Sequence, residues 1–109
     1  MPRTFYRIVK ADPPGVSDFL SNAAKGFPPT EPEVRDPDIY HGISVQDSLD
    51  GIRAAQLRTR IRGNFAKLDI PEQAPVLVKK TLGAGHFTIK GDAQLLLSYV
   101  VLPLIKGQR

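Results

Sequence analysis

The sequence has no cysteine, no long hydrophobic run and no signal-peptide pattern among its 109 residues. The absence of cysteine excludes disulfide scaffolds, cysteine–zinc sites and thiol nucleophiles. The longest apolar run, Leu95 to Ile105, is interrupted by Ser98, Tyr99 and Pro103, and it is too short to span a bilayer. The first ten residues lack the charged, apolar and small segments of a secretory signal. We therefore expect a cytoplasmic protein without a membrane partner.

The length and composition indicate one small globular domain. A chain of 109 residues and 12.0 kDa provides one hydrophobic core, so we expect a single domain over residues 1–109. The hydrophobic fraction of 41% and the charged fraction of 24% are ordinary for a folded protein. Disorder along the whole chain is therefore not expected.

Charge is distributed unevenly along the sequence. The net charge is +4 and the isoelectric point is about 9.6. Acidic residues crowd the stretch from Glu31 to Asp50, whereas the stretch from Arg53 to Lys67 has none. The basic residues of the second stretch are Arg53, Arg58, Arg60, Arg62 and Lys67. They are typical either of a solvated helix end or of a surface that binds nucleic acid or an acidic protein.

The pattern predicts an α+β fold, with a mainly antiparallel, curved sheet of about six strands and two short helices. Alternating and β-branched residues define the strands. The predicted strands are Thr4–Lys10, Ile39–Val45, Asn64–Ile70, Pro75–Thr81, His86–Lys90 and Leu95–Ile105. Pro103 favours an edge position for the last of these.

Capping signals place the two predicted helices. Ser17 starts a short helix that ends near Lys25, before Gly26. Ser44 and Asp47 resemble a capping box for a helix that runs to about Arg60. The proline-rich passage between them, residues 27–37, predicts an irregular surface loop.

Arg7 is unusual for a strand residue. Alternation places it on the same face as Phe5 and Val9, where apolar packing is expected. A guanidinium in that position needs a partner, and a phosphate or carboxylate fits its planar fork. An arginine at a sheet edge, or one paired with an internal aspartate, explains the pattern equally well.

His41 and Gly42 form a second candidate site. A glycine within a predicted strand often marks the close approach of a ligand or of another backbone. The neighbouring histidine offers a hydrogen bond or acid–base chemistry to a ligand. A surface histidine at a strand-end bulge is the structural alternative.

Other catalytic arrangements have little support in the sequence. The glycines Gly83 and Gly85 indicate a hairpin turn better than an anion-binding loop. A ribonuclease built on His41 and His86 requires the two imidazoles to converge, with Lys90 or an arginine beside the phosphate. The two histidines are far apart in the sequence and no carboxylate cluster has ligand spacing around either of them, so no metal site is expected. No nucleic-acid-reading motif is present either, and the aromatic residues do not interleave with the basic run.

Three segments, around Arg7, around His41 and around Ser98, together resemble the ADP-ribosyltransferase superfamily. Tyr40-His41-Gly42-Ile43-Ser44 is similar to the His-Gly-(Thr/Ser) strand of its polymerase-like branch, and Tyr6-Arg7-Ile8-Val9 to the arginine strand of the RES-type toxins. The resemblance implies a link to bacterial toxin systems and an NAD or ADP-ribose-like ligand. Arg7 would hold its phosphates, His41 and Gly42 would contact its ribose and nicotinamide, and Ser44 would support the pocket wall.

The resemblance also implies a loss of catalytic power. The superfamily has a glutamate in a late strand, commonly as Glu-Tyr-(hydrophobic)-Val, and here Ser98 stands before Tyr99-Val100-Val101. No glutamate follows Glu72. A serine supplies a hydrogen bond but no charge to steady the leaving of nicotinamide. Two hypotheses follow: an ADP-ribosyltransferase-like domain with an eroded catalytic set, or a basic interaction module without catalysis.

Overall fold

The computed structural model describes residues 3–108 and contains one six-stranded antiparallel sheet with short helices on both faces. The strands follow the order β4-β5-β2-β1-β3-β6 across the sheet. They are β1 (Arg3–Val9), β2 (Ile43–Gln46), β3 (Asn64–Ile70), β4 (Leu77–Lys80), β5 (His86–Lys90) and β6 (Val100–Ile105). The α+β class and the six antiparallel strands are confirmed.

Within residues 3–108, four short α-helices and one 3₁₀ turn connect the strands, instead of the two helices predicted. The helices are α1 (Glu31–Arg35), α2 (Pro37–Tyr40), α3 (Leu49–Thr59) and α4 (Ala93–Ser98), and the 3₁₀ turn is Val16–Phe19. The predicted helix from Ser17 to Lys25 is therefore wrong beyond Phe19. Ser21 ends it, because its hydroxyl and carbonyl accept from the amides of Ala24 and Lys25 and close a turn.

The main hydrophobic core lies on one face of the sheet. Phe5 and Val9 of β1 pack there with Val45 of β2, and Phe19 and Leu96 cover them from the 3₁₀ turn and α4. A buried phenylalanine or leucine side chain contributes about 1.5–3 kcal/mol to folding. These two short elements thus complete the core without a long helix.

The opposite face of the sheet is covered by α3. Ile52 and Ala55 of this helix pack on Phe65 of β3, and Tyr6 and Ile8 of β1 border the contact. Leu57 departs from the apolar stripe in the sequence and is exposed. The helix begins at Ser48, whose Oγ accepts from the Gly51 amide at 2.9 Å.

The capping box predicted at Ser44 is wrong, because Ser44 lies in β2. The chain remains extended through Gln46, and Val45 and Gln46 are both buried. Burial of β2 between β1 and β5 outweighs a local capping signal. The helix consequently starts four residues later.

The proline-rich passage is irregular as predicted in residues 27–30, but it is helical in α1 and at the start of α2. Pro32 and Pro37 occupy the first turns of α1 and α2, where a missing amide proton costs nothing. Glu33 is buried, and it bonds the Thr30 amide and the Asn22 side chain at 2.8 Å each. The predicted strand Ile39–Val45 is shortened to β2 for the same reason, since α2 extends through Tyr40.

The last predicted strand combines two elements. Asp92 caps α4 by accepting from the Leu95 amide at 3.0 Å, and the strand begins only at Val100. β6 is an edge strand, as Pro103 predicts. A register shift interrupts its pairing with β3, and Val101 and Leu102 are exposed there.

Candidate functional site

Arg7 lies on the core face of β1 and binds two backbone carbonyls. Its Nε donates to the Asp18 carbonyl at 2.7 Å, and its Nη1 donates to the Ser44 carbonyl at 2.9 Å. The ladder between β1 and β2 pairs Tyr6 with Gln46, just before this point. The guanidinium therefore joins β1, β2 and the 3₁₀ turn at a place where backbone pairing stops.

Burial lowers the pKa of Arg7 to about 10, and the nearby Asp18 carboxylate opposes this shift. The side chain is still charged at neutral pH. Asp18 itself organises the preceding loop, because its carboxylate accepts from the amides of Lys10 and Gly15. The Nε and Nη1 donors of Arg7, which an incoming phosphate would use, are therefore already bonded to the carbonyls of Asp18 and Ser44.

His41 lies at the end of α2, outside the strand in which it was predicted. It is exposed, and its ring meets the Tyr40 ring edge-on with centroids 5.2 Å apart. It borders a cleft of about 260 Å³ whose wall includes Phe19, Ile43 and Ile89. This cleft opens on the core face of the sheet, the face that also carries Arg7, but Arg7 is not part of its lining.

Gly42 is required by the packing of this region. A Cβ atom there would meet the Thr88 methyl group and would lie 2.9 Å from the Asp38 carbonyl oxygen. The close approach that the glycine signals is therefore made by α2 and β5. Ser44 follows in β2, where it is exposed on the face opposite Ile43.

Ser98 is in the last turn of α4, not in a strand. Its Oγ donates to the Leu95 carbonyl, so the hydroxyl is bonded to the backbone of its own helix. The residue that the sequence pattern aligns with a strand glutamate therefore lies in a helix.

The predicted basic residues lie on α3, on the segment after it and on the adjoining face of β3, and we refer to them together as the basic surface (Arg53, Arg58, Arg60, Arg62 and Lys67). All four arginines are exposed and Lys67 is half-buried. Arg53 stacks over Phe65 with its guanidinium carbon 5.3 Å from the ring centroid, and Lys67 follows on the same face of β3. Arg60 is about 10 Å further along the helix axis than Arg53.

The charges of the basic surface are largely unneutralised. Among residues 3–108, Arg53, Arg58, Arg60 and Lys67 form no ion pair. Asp36 and Asp38 of the acidic stretch lie instead near β4 and β5, where Lys79 Nζ is 2.7 Å from Asp36 and Lys90 Nζ is 3.0 Å from Asp38. These contacts lower the pKa of Asp38 and raise the pKa of Lys79.

Arg60 has a left-handed backbone at the end of α3, with φ 58° and ψ 22°. Glycine is the usual residue in this conformation, because a Cβ atom crowds the carbonyl group. Its amide still donates to the Gln56 carbonyl at 2.8 Å. Sequence reasoning found the charge of Arg60 but not this conformation, since no glycine marks it.

A groove of about 530 Å³ crosses the basic surface at the end of α3. Leu57, Arg60, Ile61 and Arg62 line it, with Gln56 and Gln108. The buried Gln56 amide donates to the carbonyls of Ile61 and Gly63 at 3.0 Å and accepts from the Gln108 amide at 2.8 Å. The groove was not predicted from the sequence, because nothing there distinguishes Gln56 from an ordinary polar residue of a helix.

A second polar cluster lies between β4 and β5. His86 Nδ1 is 2.8 Å from Thr81 Oγ1, which is also 2.9 Å from Thr88 Oγ1. Burial lowers the pKa of His86, and the Arg58 charge lowers it further, while a bond to the Thr81 backbone acts against them. The cluster closes the hairpin turn predicted at Gly83 and Gly85, both of which have positive φ.

Residues 3–108 have neither a metal-binding cluster nor a membrane-spanning helix. They contain no group of three or more histidine, cysteine or acidic side chains placed to hold a metal. None of the helices in this part of the chain has the length and apolar character needed to cross a membrane.

Comparison of the chain with protein-family models, with curated proteins and with solved structures gives no match. The candidate sites therefore rest on the geometry of this chain.

Proposed function

We propose that the chain is an interaction module without catalysis and that its basic surface binds an anionic macromolecule. The observation that carries this proposal is the separation of charge. Arg58 and Arg60 are exposed and have no carboxylate partner among the described residues, while Asp36 and Asp38 pair with lysines elsewhere. A cluster of like charges left without partners repels itself and is relieved by an opposite charge from outside.

The conformation of Arg60 supports the same proposal. An arginine in the left-handed region is less stable than glycine, so the position carries a conformational cost. Its side chain makes no hydrogen bond, ion pair or ring contact within residues 3–108 that offsets this cost. The arginine side chain therefore does not stabilise the fold, and binding of a negatively charged partner explains its presence at this position.

The proposal is tested by measuring affinity for a DNA duplex and for polyglutamate at several salt concentrations. With five phosphate contacts, affinity for the duplex falls about 500-fold between about 50 and 200 mM salt, and with three contacts about 40-fold. The double variant Arg58→Gln/Arg60→Gly should bind both probes more weakly and show this shallower salt dependence for the duplex. The matched control is Lys25→Gln/Lys80→Gln, which removes two exposed charges outside the basic surface.

The control should bind as the wild type does. Equal losses in both double variants would show that only net charge matters and would overturn the proposal. Binding of neither probe at low salt would overturn it as well.

An NAD or ADP-ribose-like ligand is the second candidate. The observation that favours it is the cleft beside His41, where an exposed imidazole adjoins the apolar side chains of Phe19 and Ile43. Its volume is slightly below the range of about 300–1,000 Å³ that is common for small-molecule sites. We propose that the cleft takes the nicotinamide–ribose end of such a ligand, while Arg7 supports the adjoining backbone.

Calorimetric titration with NAD tests this second candidate. Saturable heat that is lost in His41→Ala, with an unchanged unfolding temperature, would support it. The absence of heat from the wild type at low and at physiological salt would exclude it.

A further inference from the structure

The groove at the end of α3 combines exposed apolar side chains with the arginines of the basic surface. Leu57 is 64% exposed and Ile61 is 44% exposed, and both line the groove. Arg60 and Arg62 belong to the same lining, and none of the lining residues within 3–108 is acidic. Large exposed apolar residues within a charged rim are typical of surfaces that bind proteins.

The floor of the groove is formed by Gln56, whose polar side-chain atoms are already bonded. Gln56 is 3% exposed, and its side-chain amide is shared among the carbonyls of Ile61, Gly63 and Gln108. Its Oε1 accepts from the Gln108 amide. A partner therefore finds apolar contact along Leu57 and Ile61 and charge from the arginines, but no unbonded side-chain amide on Gln56.

The lining is poorly suited to single-stranded nucleic acid. Binding of unpaired bases uses exposed aromatic rings, on which the bases stack. The described residues that line the groove include no aromatic side chain, and Phe65 nearby is fully buried. A nucleic acid would leave Leu57 and Ile61 without apolar contact, whereas a peptide with leucine side chains would cover them.

We propose that the groove binds an acidic protein segment that carries apolar side chains, with a carboxylate held by Arg60 and an apolar side chain seated between Leu57 and Ile61. This inference rests on the proposed anion-binding function and specifies its partner. Charge complementarity selects the segment, and the apolar contact separates it from nucleic acid and from other acidic chains.

The test uses three labelled probes of equal negative charge, namely a glutamate–leucine peptide, the same peptide with glutamine in place of leucine, and a single-stranded oligonucleotide. The wild type should bind the leucine peptide most tightly. Leu57→Gln should reduce that affinity about five- to tenfold, which is the loss expected for part of a buried leucine contact. Its affinity for the glutamine peptide should not change.

The matched control is Val34→Gln, which removes an equally exposed apolar side chain, 65% exposed, from α1. It should bind all three probes as the wild type does. Because Leu57 and Val34 are both exposed, the two variants are expected to fold, and circular dichroism checks this.

The possible failures are distinguishable. If no probe binds with salt dependence, the proposed anion-binding function itself is wrong. If the probes bind but leucine and glutamine peptides are equivalent, or if the oligonucleotide binds most tightly, the anion-binding surface remains and the acidic–apolar partner is overturned.

Discussion

Replacing Arg60 with glycine should stabilise the fold while weakening the binding of anions. The residue is exposed and left-handed, with φ 58°. The left-handed conformation costs a non-glycine residue about 1–2 kcal/mol. Glycine removes this cost but loses about 0.5–1 kcal/mol through its greater freedom in the unfolded chain. The net gain is about 0.5–1 kcal/mol, which raises the unfolding temperature by about 3–6 °C.

Arg58→Gly is the matched control for this prediction. It makes the same chemical change two residues earlier, within the last turn of α3. Glycine inside a helix costs about 1 kcal/mol, so the unfolding temperature should fall by about 4–8 °C. Thermal unfolding followed by circular dichroism measures both shifts.

The two variants should thus have opposite effects on stability and the same effect on affinity for polyglutamate. A lower unfolding temperature for Arg60→Gly would contradict this prediction, because it would show that the arginine side chain stabilises the fold through its own contacts. The function proposed for Arg60 would then lose its conformational argument.

Three further predictions concern the interior of the sheet. Arg7→Met leaves the part-buried Asp18 carbonyl without its donor. It should lower the free energy of unfolding by about 1–3 kcal/mol, measured by urea titration. A neutral result would show that water replaces the guanidinium. Gly42→Ala should lower the free energy of unfolding by about 1–3 kcal/mol, because the added methyl group overpacks against α2 and β5. Gly15→Ala, which has open space around it, should leave the free energy of unfolding nearly unchanged. Equal effects of the two variants would contradict the packing argument. The folded-state pKa of His86 is below its ordinary value of 6.5, so the folded protein binds fewer protons and stability should fall as pH decreases below about 6.5. His86→Gln should remove that part of the pH dependence, and an unchanged profile between pH 7 and 5 would assign it to other groups.

The strands were the most predictable part of this protein. β3 and β5 have the bounds that alternation predicts, because one face of each packs in the core and a shift by one residue would expose Leu68 or Ile89. The position of Arg7 among core residues was also predicted correctly from alternation. Its partners were not predictable, since both are backbone carbonyls that only the packing of the 3₁₀ turn and β2 brings near.

The helices were less predictable, because local signals had several solutions. Ser44 and Ser48 both offer a cap, and the burial of Val45 and Gln46 in β2 selects the second. The prolines of residues 27–37 exclude helix interiors but permit helix starts, which is how α1 and α2 use them.

By itself the sequence determined the α+β class, the positions of most strands and the concentration of positive charge between Arg53 and Lys67, because these depend on residue type and local period. Tertiary structure decided which of these residues meet. It bonded Arg7 to two backbone carbonyls and placed Ser98 in a helix. It also formed the groove over Gln56 from segments that are 52 residues apart. Contacts at that separation depend on the path of the whole chain, which no local pattern contains.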